Sequence, residues 1–188
     1  MFEYLIFRDQ RLTGNLPFLT ALTITYNLNA TVPLRNAFNR VDTSITINGG
    51  KLHTIFILCH GYAGSNNNAR MSMDAGGMGL QLGQEDVLHN NVSMWEAIKD
   101  QTENIVVYSC AASNTEAGNE GTTADGKYLM GALAIHTNAT VYAADRIQWY
   151  NPDHYDFGRW EGDLWRFPAN GEPGSRTSGP PVSIRDVI

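Results

Sequence analysis

The stretch Thr54-Ile55-Phe56-Ile57-Leu58-Cys59 runs directly into His60-Gly61 and decides how the chain folds. A second stretch, Asn104-Ile105-Val106-Val107-Tyr108-Ser109, runs in the same way into Cys110. Both are short, rich in β-branched residues and bounded by polar or glycine-containing segments, which predicts buried β-strands over 54–59 and 104–109. Each strand therefore delivers a reactive side chain, an imidazole or a thiol, at its carboxyl end.

The segments around these strands predict an α/β fold with a mainly parallel sheet flanked by helices. A helix over 94–101, introduced by Ser93 with Glu96 as a capping box, separates the two strands. A helix over 123–137 and a strand over 139–144 follow. Strands that alternate with helices in this order pair in parallel, through right-handed crossovers.

The two ends of the chain are less regular than its middle. Residues 2–7 predict an edge strand, and residues 16–26 fit either a helix or a strand. A small aromatic β-hairpin is predicted near the C-terminus, with 159–161 against 164–167. Glycine, proline and serine in 168–188 indicate a loosely ordered tail.

The composition is that of a globular protein, and it limits the classes of partner that the chain is expected to bind. Of the 188 residues, 43% are hydrophobic and 17% are charged, so we expect one domain over 1–188. The net charge of −6 argues against nucleic acid and against an anionic membrane surface. No apolar run approaches the ~18 residues of a membrane span, and the first residues lack a secretory-signal pattern. We expect a cytoplasmic protein, a pattern that a protein delivered into another cell would share.

The two cysteines are predicted to have different roles. Cys59 and His60 are neighbours on one strand, so their side chains leave on opposite faces, and Cys59 is interpreted as a small buried apolar group. Cys110 stands at a strand tip before small residues that leave room for a substrate, and it is the predicted nucleophile. A nearby imidazolium lowers the pKa of a thiol, and His60 then returns the proton to a leaving amine. The backbone N–H groups of Gly61 and Cys110 are the candidate oxyanion donors.

The spacing of these residues carries a family resemblance. Cys110 lies 50 residues after His60, close to the spacing of the same two residue types in caspases. Over residues 50–146 the chain resembles the caspase-like superfamily of cysteine peptidases, through the ordered blocks Ile55–Gly61, Ile105–Cys110 and Val141–Ala144. The resemblance implies a caspase-like fold, a catalytic dyad of His60 and Cys110, and an oxyanion hole made by the amides of Gly61 and Cys110.

The residues before the nucleophile depart from the better-known branches of that superfamily. Caspases carry Gln-Ala there, and metacaspases and legumains place an acid two residues before the cysteine, whereas this chain has Tyr108-Ser109. The specificity rules of those branches therefore do not transfer. The chain looks closer to a divergent bacterial branch.

These patterns predict a cysteine endopeptidase that hydrolyses protein or peptide substrates through a thioester, with no metal and no organic cofactor. Asp145 follows the third strand and is a candidate for binding a basic substrate side chain, although an acid at a strand end also caps turns. A zinc site made of Cys59, His60 and Cys110 is disfavoured by the side-chain directions. One alternative is a catalytically inactive caspase-like binding or effector module. Another is a thiol acyl transferase or amidase that acts on a small molecule.

Overall fold

The computed structural model describes residues 3–14, 16, 19–62, 76–152 and 159–188. Within these residues the helices are α1 (Leu34–Asn48) and α2 (Gly126–Thr137), with 3₁₀ helices at Val92–Ile98 and Ile184–Asp186. The strands are β1 (Tyr4–Asp9), β2 (Thr23–Leu28), β3 (Leu52–Leu58), β4 (His60–Gly61), β5 (Leu80–Gln81), β6 (Thr102–Tyr108), β7 (Thr140–Ala144), β8 (Leu164–Phe167) and β9 (Ser175–Thr177). None of the described helices is long and apolar enough to cross a membrane.

Seven of the strands in the described residues form one sheet, in the order β2-β1-β3-β6-β7-β8-β9. The pairs from β2 through β7 are all parallel, and β8 and β9 are added antiparallel at one side. The short strands β4 and β5 pair with each other outside this sheet. The predicted mixed α/β fold with a mainly parallel sheet is thus confirmed.

The direction of the crossovers explains how the sheet is covered. The connections β2 to β3, β3 to β6 and β6 to β7 all advance the same way across the sheet, so right-handed crossovers place their helices on one face. The connection from β1 to β2 runs the opposite way and crosses the other face, where Leu12, Leu16 and Leu19 pack. The helices that join these strands therefore lie on one face of the sheet rather than on both.

Side chains of β3 alternate between two apolar clusters, as the period of a strand requires. Ile55 and Ile57 join the cluster that contains α1, α2 and the buried Trp95. Phe56 and Leu58 join the cluster on the opposite face. Both faces of the strand are buried, which is why its sequence is continuously apolar rather than alternating.

Four sequence-based expectations differ from the structure in detail. β1 lies inside the sheet between β2 and β3, because the ambiguous segment after it supplies the edge strand β2. The helix expected over 94–101 is a 3₁₀ helix, whose buried residues Val92, Trp95 and Ile98 follow a period of three, and Ser93 does not cap it. The partner of β8 within the aromatic hairpin is β9, and its other side pairs with β7 rather than with 159–161.

The fourth difference concerns the tail over 168–188, which was expected to be loosely ordered. It contains β9 and a 3₁₀ helix with a capping box between Ser183 and Asp186. Ile184 and Val187 are buried in the cluster on the face opposite the helices. The tail is ordered because its apolar residues cover sheet surface that α1, α2 and the 3₁₀ helix at Val92–Ile98, which pack on the other face, leave uncovered.

Candidate active site

The carboxyl ends of β1, β3, β6 and β7 form one edge of the sheet. The chain leaves β1 toward β2 on one side and leaves β3 toward β6 on the other, so the topological switch point lies between β1 and β3. In open α/β sheets, ligands bind in the crevice beyond the strand ends at such a point. His60 stands immediately beyond β3, at that crevice.

The ring of His60 is oriented by the backbone that follows β1. His60 belongs to the short pair of β4 and β5 and is exposed, and its Nε2 lies 3.2 Å from the carbonyl oxygen of Arg11. A carbonyl only accepts hydrogen bonds, so this contact requires the proton on Nε2. In the neutral ring Nδ1 is then the nitrogen with a free lone pair, and it is the atom able to take a proton.

An ion pair between a buried carboxylate and a partly exposed guanidinium holds the Arg11 segment in place. Asp9 is fully buried, and its two carboxylate oxygens accept hydrogen bonds from Nε and Nη2 of Arg11, each at 2.7 Å. The backbone N–H of Gly83 donates to the same carboxylate at 2.9 Å. Burial alone would raise the pKa of Asp9, but the hydrogen bonds from Arg11 and Gly83 outweigh it and hold the pKa below its usual value.

This ion pair also connects β1 to the segment after β5. Arg11 Nη2 donates to the carbonyl of Gly83 at 2.9 Å and lies 3.3 Å from the carboxylate of Asp86. The hydroxyl of Tyr62 donates to the other oxygen of Asp86 at 2.6 Å. Arg11 contacts the imidazole, and Tyr62 lies two residues after His60. The network therefore fixes the backbone at Arg11 and at Tyr62.

Gly61 brings the His60 strand end against the Cys110 loop. An added Cβ atom on Gly61 would overlap the carbonyl oxygen of Cys110 and lie 2.9 Å from Oγ of Ser109. Only a residue without a side chain permits this approach. The predicted neighbourhood of the two strand ends is therefore present in the backbone, with Gly61 as the contact point.

Cys110 is half-buried, and its thiol makes its contact with the segment after β7. Sγ lies 3.8 Å from the carbonyl oxygen of Gln148, to which it donates. Burial raises the pKa of the Cys110 thiol, the negative charge of Glu161 raises it further, and the Gln148 backbone opposes the shift in part. In this arrangement the group is a neutral thiol, and no hydrogen bond joins it to the imidazole of His60, both residues lying in the described part of the chain.

The turn after Cys110 has a conformation that is uncommon outside glycine. Ala111 has a φ of +50°, is fully buried, and donates its backbone N–H to the carbonyl of Arg146 at 2.8 Å. Gly76 packs against its methyl group. A non-glycine residue held in this region costs roughly 1–3 kcal/mol, and such residues cluster at functional sites. The turn separates the thiol from the strand and presents it at the sheet edge.

Cys59 and Asp145 lie at the same sheet edge. Cys59 is buried in the apolar cluster below the helices, and burial raises its pKa far above the usual thiol range. The carboxylate of Asp145 accepts hydrogen bonds from the backbone N–H of Asp163 at 2.9 Å and from Nε1 of Trp165 at 3.1 Å. It therefore joins β7 to β8, and the proposed role in binding a basic substrate side chain stays a prediction.

Sequence reasoning missed three residues that surround the candidate dyad. Asp9 and Arg11 stand at the end of the apolar run of β1, and the strand-end argument applied to His60 would have found them. Gln148 and its neighbours carry no local pattern that points to the thiol, because the contact depends on how the chain returns after β7.

A comparison with protein-family models and with curated proteins finds no match for this chain.

Proposed function

We propose that the chain is a cysteine endopeptidase with a caspase-like fold, in which Cys110 is the nucleophile and His60 the base. The observation that carries the proposal is the packing of Gly61 on the backbone of Cys110. This contact brings the residues that follow the neighbouring strands β3 and β6 together at one edge of the sheet. The Nε2 contact with Arg11 leaves Nδ1 of His60 as the proton acceptor. An exposed imidazole and a half-buried thiol fit a substrate that enters from solvent.

The reaction follows from these assignments. The Cys110 sulfur attacks the carbonyl carbon of the scissile peptide bond, and its proton passes to Nδ1 of His60. Backbone N–H groups of Gly61 and Cys110 stabilise the oxyanion, and the Cys110 N–H has no acceptor among the described residues. The C–N bond breaks as His60 gives the proton to the leaving amine. Water then attacks the thioester, releasing the carboxylic acid and restoring the thiol.

One rearrangement is needed before attack. The thiol has to leave the carbonyl of Gln148 and meet Nδ1 of His60, because the thiol donates to Gln148 while the imidazole is held only through Nε2. Catalytic hydrogen bonds in empty sites are often long or misaligned and tighten when substrate binds.

A second candidate function is a binding or effector module without turnover. The raised pKa of Cys110 and its contact with Gln148 favour this alternative, because a resting thiol attacks poorly. The two candidates share a fold and differ in whether His60 activates the sulfur.

The test measures alkylation and hydrolysis on matched variants. Iodoacetamide should label Cys110 and leave Cys59 unmodified in the folded protein, and Cys59→Ala should behave as wild type. A peptide library should be cleaved by wild type but not by Cys110→Ala, and His60→Ala should slow cleavage by about 10²-fold or more. Labelling of Cys110 that is independent of His60, together with an uncleaved library, would favour the binding module.

A further inference from the structure

Gln148 connects the candidate nucleophile to an acidic residue in the loop before β8. Its backbone carbonyl accepts from the Cys110 thiol, as described above. Its side-chain Nε2 donates to the carbonyl of Glu161 at 2.9 Å, and its Oε1 accepts from the Glu161 N–H at 3.3 Å. Gln148 is itself buried, so these bonds fix the Glu161 backbone relative to the sulfur.

The carboxylate of Glu161 is held in place but not neutralised. One of its oxygens accepts from the backbone N–H of Trp149 at 3.0 Å. No lysine, arginine or histidine of the described residues forms an ion pair with it, whereas Asp163 nearby pairs with Arg176 at 2.8 Å. The N–H of Trp149 and the carbonyl of Gln148 belong to one peptide unit, so the carboxylate and the Cys110 sulfur contact the same peptide from its two edges.

Trp149, whose backbone N–H holds this carboxylate, carries an unusually open indole. Trp149 is 55% exposed, while the neighbouring Gln148 is buried. A large aromatic ring costs free energy when water covers it, and an exposed one next to a reactive group is a natural contact for a ligand. Aromatic faces and carboxylates both attract cations.

We propose that Glu161 and Trp149 form a subsite that selects substrates with a positively charged side chain next to the bond that Cys110 attacks. The inference rests on the proposed peptidase function. The guanidinium of an arginine side chain offers donors to the free carboxylate oxygen and a planar face to the indole. Asp145, the acid singled out in the sequence, does not offer this, because both its oxygens accept hydrogen bonds from the chain.

Charge at this subsite also affects the ionisation of the Cys110 thiol. A cationic side chain beside Glu161 offsets the negative charge that opposes ionisation of the Cys110 thiol. A substrate of the right charge therefore favours the thiolate at the moment it binds, and a neutral substrate does not.

The test uses two affinity labels of nearly equal shape, the chloromethyl ketones of N-acetylarginine and N-acetylcitrulline. Rates of modification at Cys110 are measured by mass spectrometry on the full chain, with iodoacetamide as a reagent that lacks a side chain. Wild type should react faster with the arginine reagent by about tenfold or more, the scale of one charge-assisted hydrogen bond. Glu161→Gln should reduce the ratio of the two rates toward one.

The control is Glu103→Gln, which makes the same change of charge at the opposite end of β6 from Cys110. It should keep the wild-type ratio. Equal rates for the two reagents in wild type, or an unchanged ratio in Glu161→Gln, overturn the subsite even if iodoacetamide labelling of Cys110 depends on His60. If iodoacetamide labelling does not depend on His60 and no peptide is cleaved, the peptidase function itself fails and the subsite fails with it.

Discussion

The α-carbon of Gly61 packs against the carbonyl oxygen of Cys110 so closely that one added methyl group would overlap it. Gly61→Ala should therefore separate the two strand ends and slow iodoacetamide labelling of Cys110. The slowing should be absent when His60 is also replaced by alanine. Overpacking of this kind lowers the free energy of unfolding by about 1–3 kcal/mol, which chemical denaturation measures.

Gly131→Ala is the matched control for this substitution. Gly131 lies within α2, and nothing surrounds the position of an added Cβ atom. Alanine in a helix interior should stabilise the protein by about 1 kcal/mol and leave labelling unchanged. A Gly61→Ala protein with wild-type stability and labelling would contradict the role given to this contact.

The ion pair of Asp9 and Arg11 should make stability depend on pH. Because the pKa of Asp9 is lowered in the folded state, the unfolded chain takes up the proton at higher pH. The stabilisation is fully present above the unfolded value of about 3.9. It is lost as pH falls from there through the folded pKa.

Asp9→Asn should lower the free energy of unfolding at pH 7 by about 1–3 kcal/mol, because it removes the charged acceptor of the hydrogen bonds from Arg11, while Arg11 stays partly exposed and keeps its contact with Asp86. The dependence on pH below 4 should also become shallower than in wild type, with Asp125 still contributing because its pKa is lowered too. Asp42→Asn, at an exposed position of α1, is the comparison. A wild-type acid profile for Asp9→Asn would argue against the pairing.

Alkylation of Cys110 should report its environment directly. Because burial and Glu161 raise the pKa of the thiol, its reaction with iodoacetamide should rise with pH and reach its midpoint above the ordinary thiol range. Glu161→Gln should move the midpoint to lower pH, whereas Glu103→Gln should not move it. A midpoint below the value of a free thiol would show that a cation, rather than Glu161, dominates the site.

Asp145→Asn distinguishes a structural role, in which Asp145 joins β7 to β8, from a role in binding substrate. The substitution replaces one acceptor of the Asp163 N–H and the Trp165 indole by a donor, so it should lower the free energy of unfolding by about 1–3 kcal/mol. The arginine-to-citrulline rate ratio should stay at its wild-type value, measured as above. A reduced ratio with unchanged stability would return the substrate-binding role to Asp145.

The sequence predicts the central strands well because their signal is local. β3, β6 and β7 are short apolar runs whose burial on both faces leaves an unmistakable composition, and the expected strands overlap the observed ones. α1 is different, because Thr and Ile in its second half favour a helix less than Ala or Leu does, so local propensity alone does not predict its full length. Packing on the sheet, rather than local propensity, determines that this segment is a helix, as its buried residues show: Leu34, Ala37, Phe38, Val41 and Ser44.

The candidate site was predictable only where it coincides with strand ends. His60, Gly61 and Cys110 could be singled out because parallel strands bring their carboxyl ends to one edge. The partners of these residues, Arg11 for the imidazole and Gln148 for the thiol, follow from long-range packing between segments far apart in sequence. No periodicity or motif encodes such contacts.

The ordered tail has a consequence for how the protein is handled. Ile184 and Val187 shield apolar side chains of β3 and β6, and the backbone N–H of Ile184 donates to the hydroxyl of Tyr108 at 3.0 Å. Tyr108 lies two residues before the sulfur, so shortening the chain from its C-terminus would bare a hydrophobic sheet face and disturb the strand that carries the nucleophile. A deletion series from this end would therefore confuse loss of solubility with loss of chemistry.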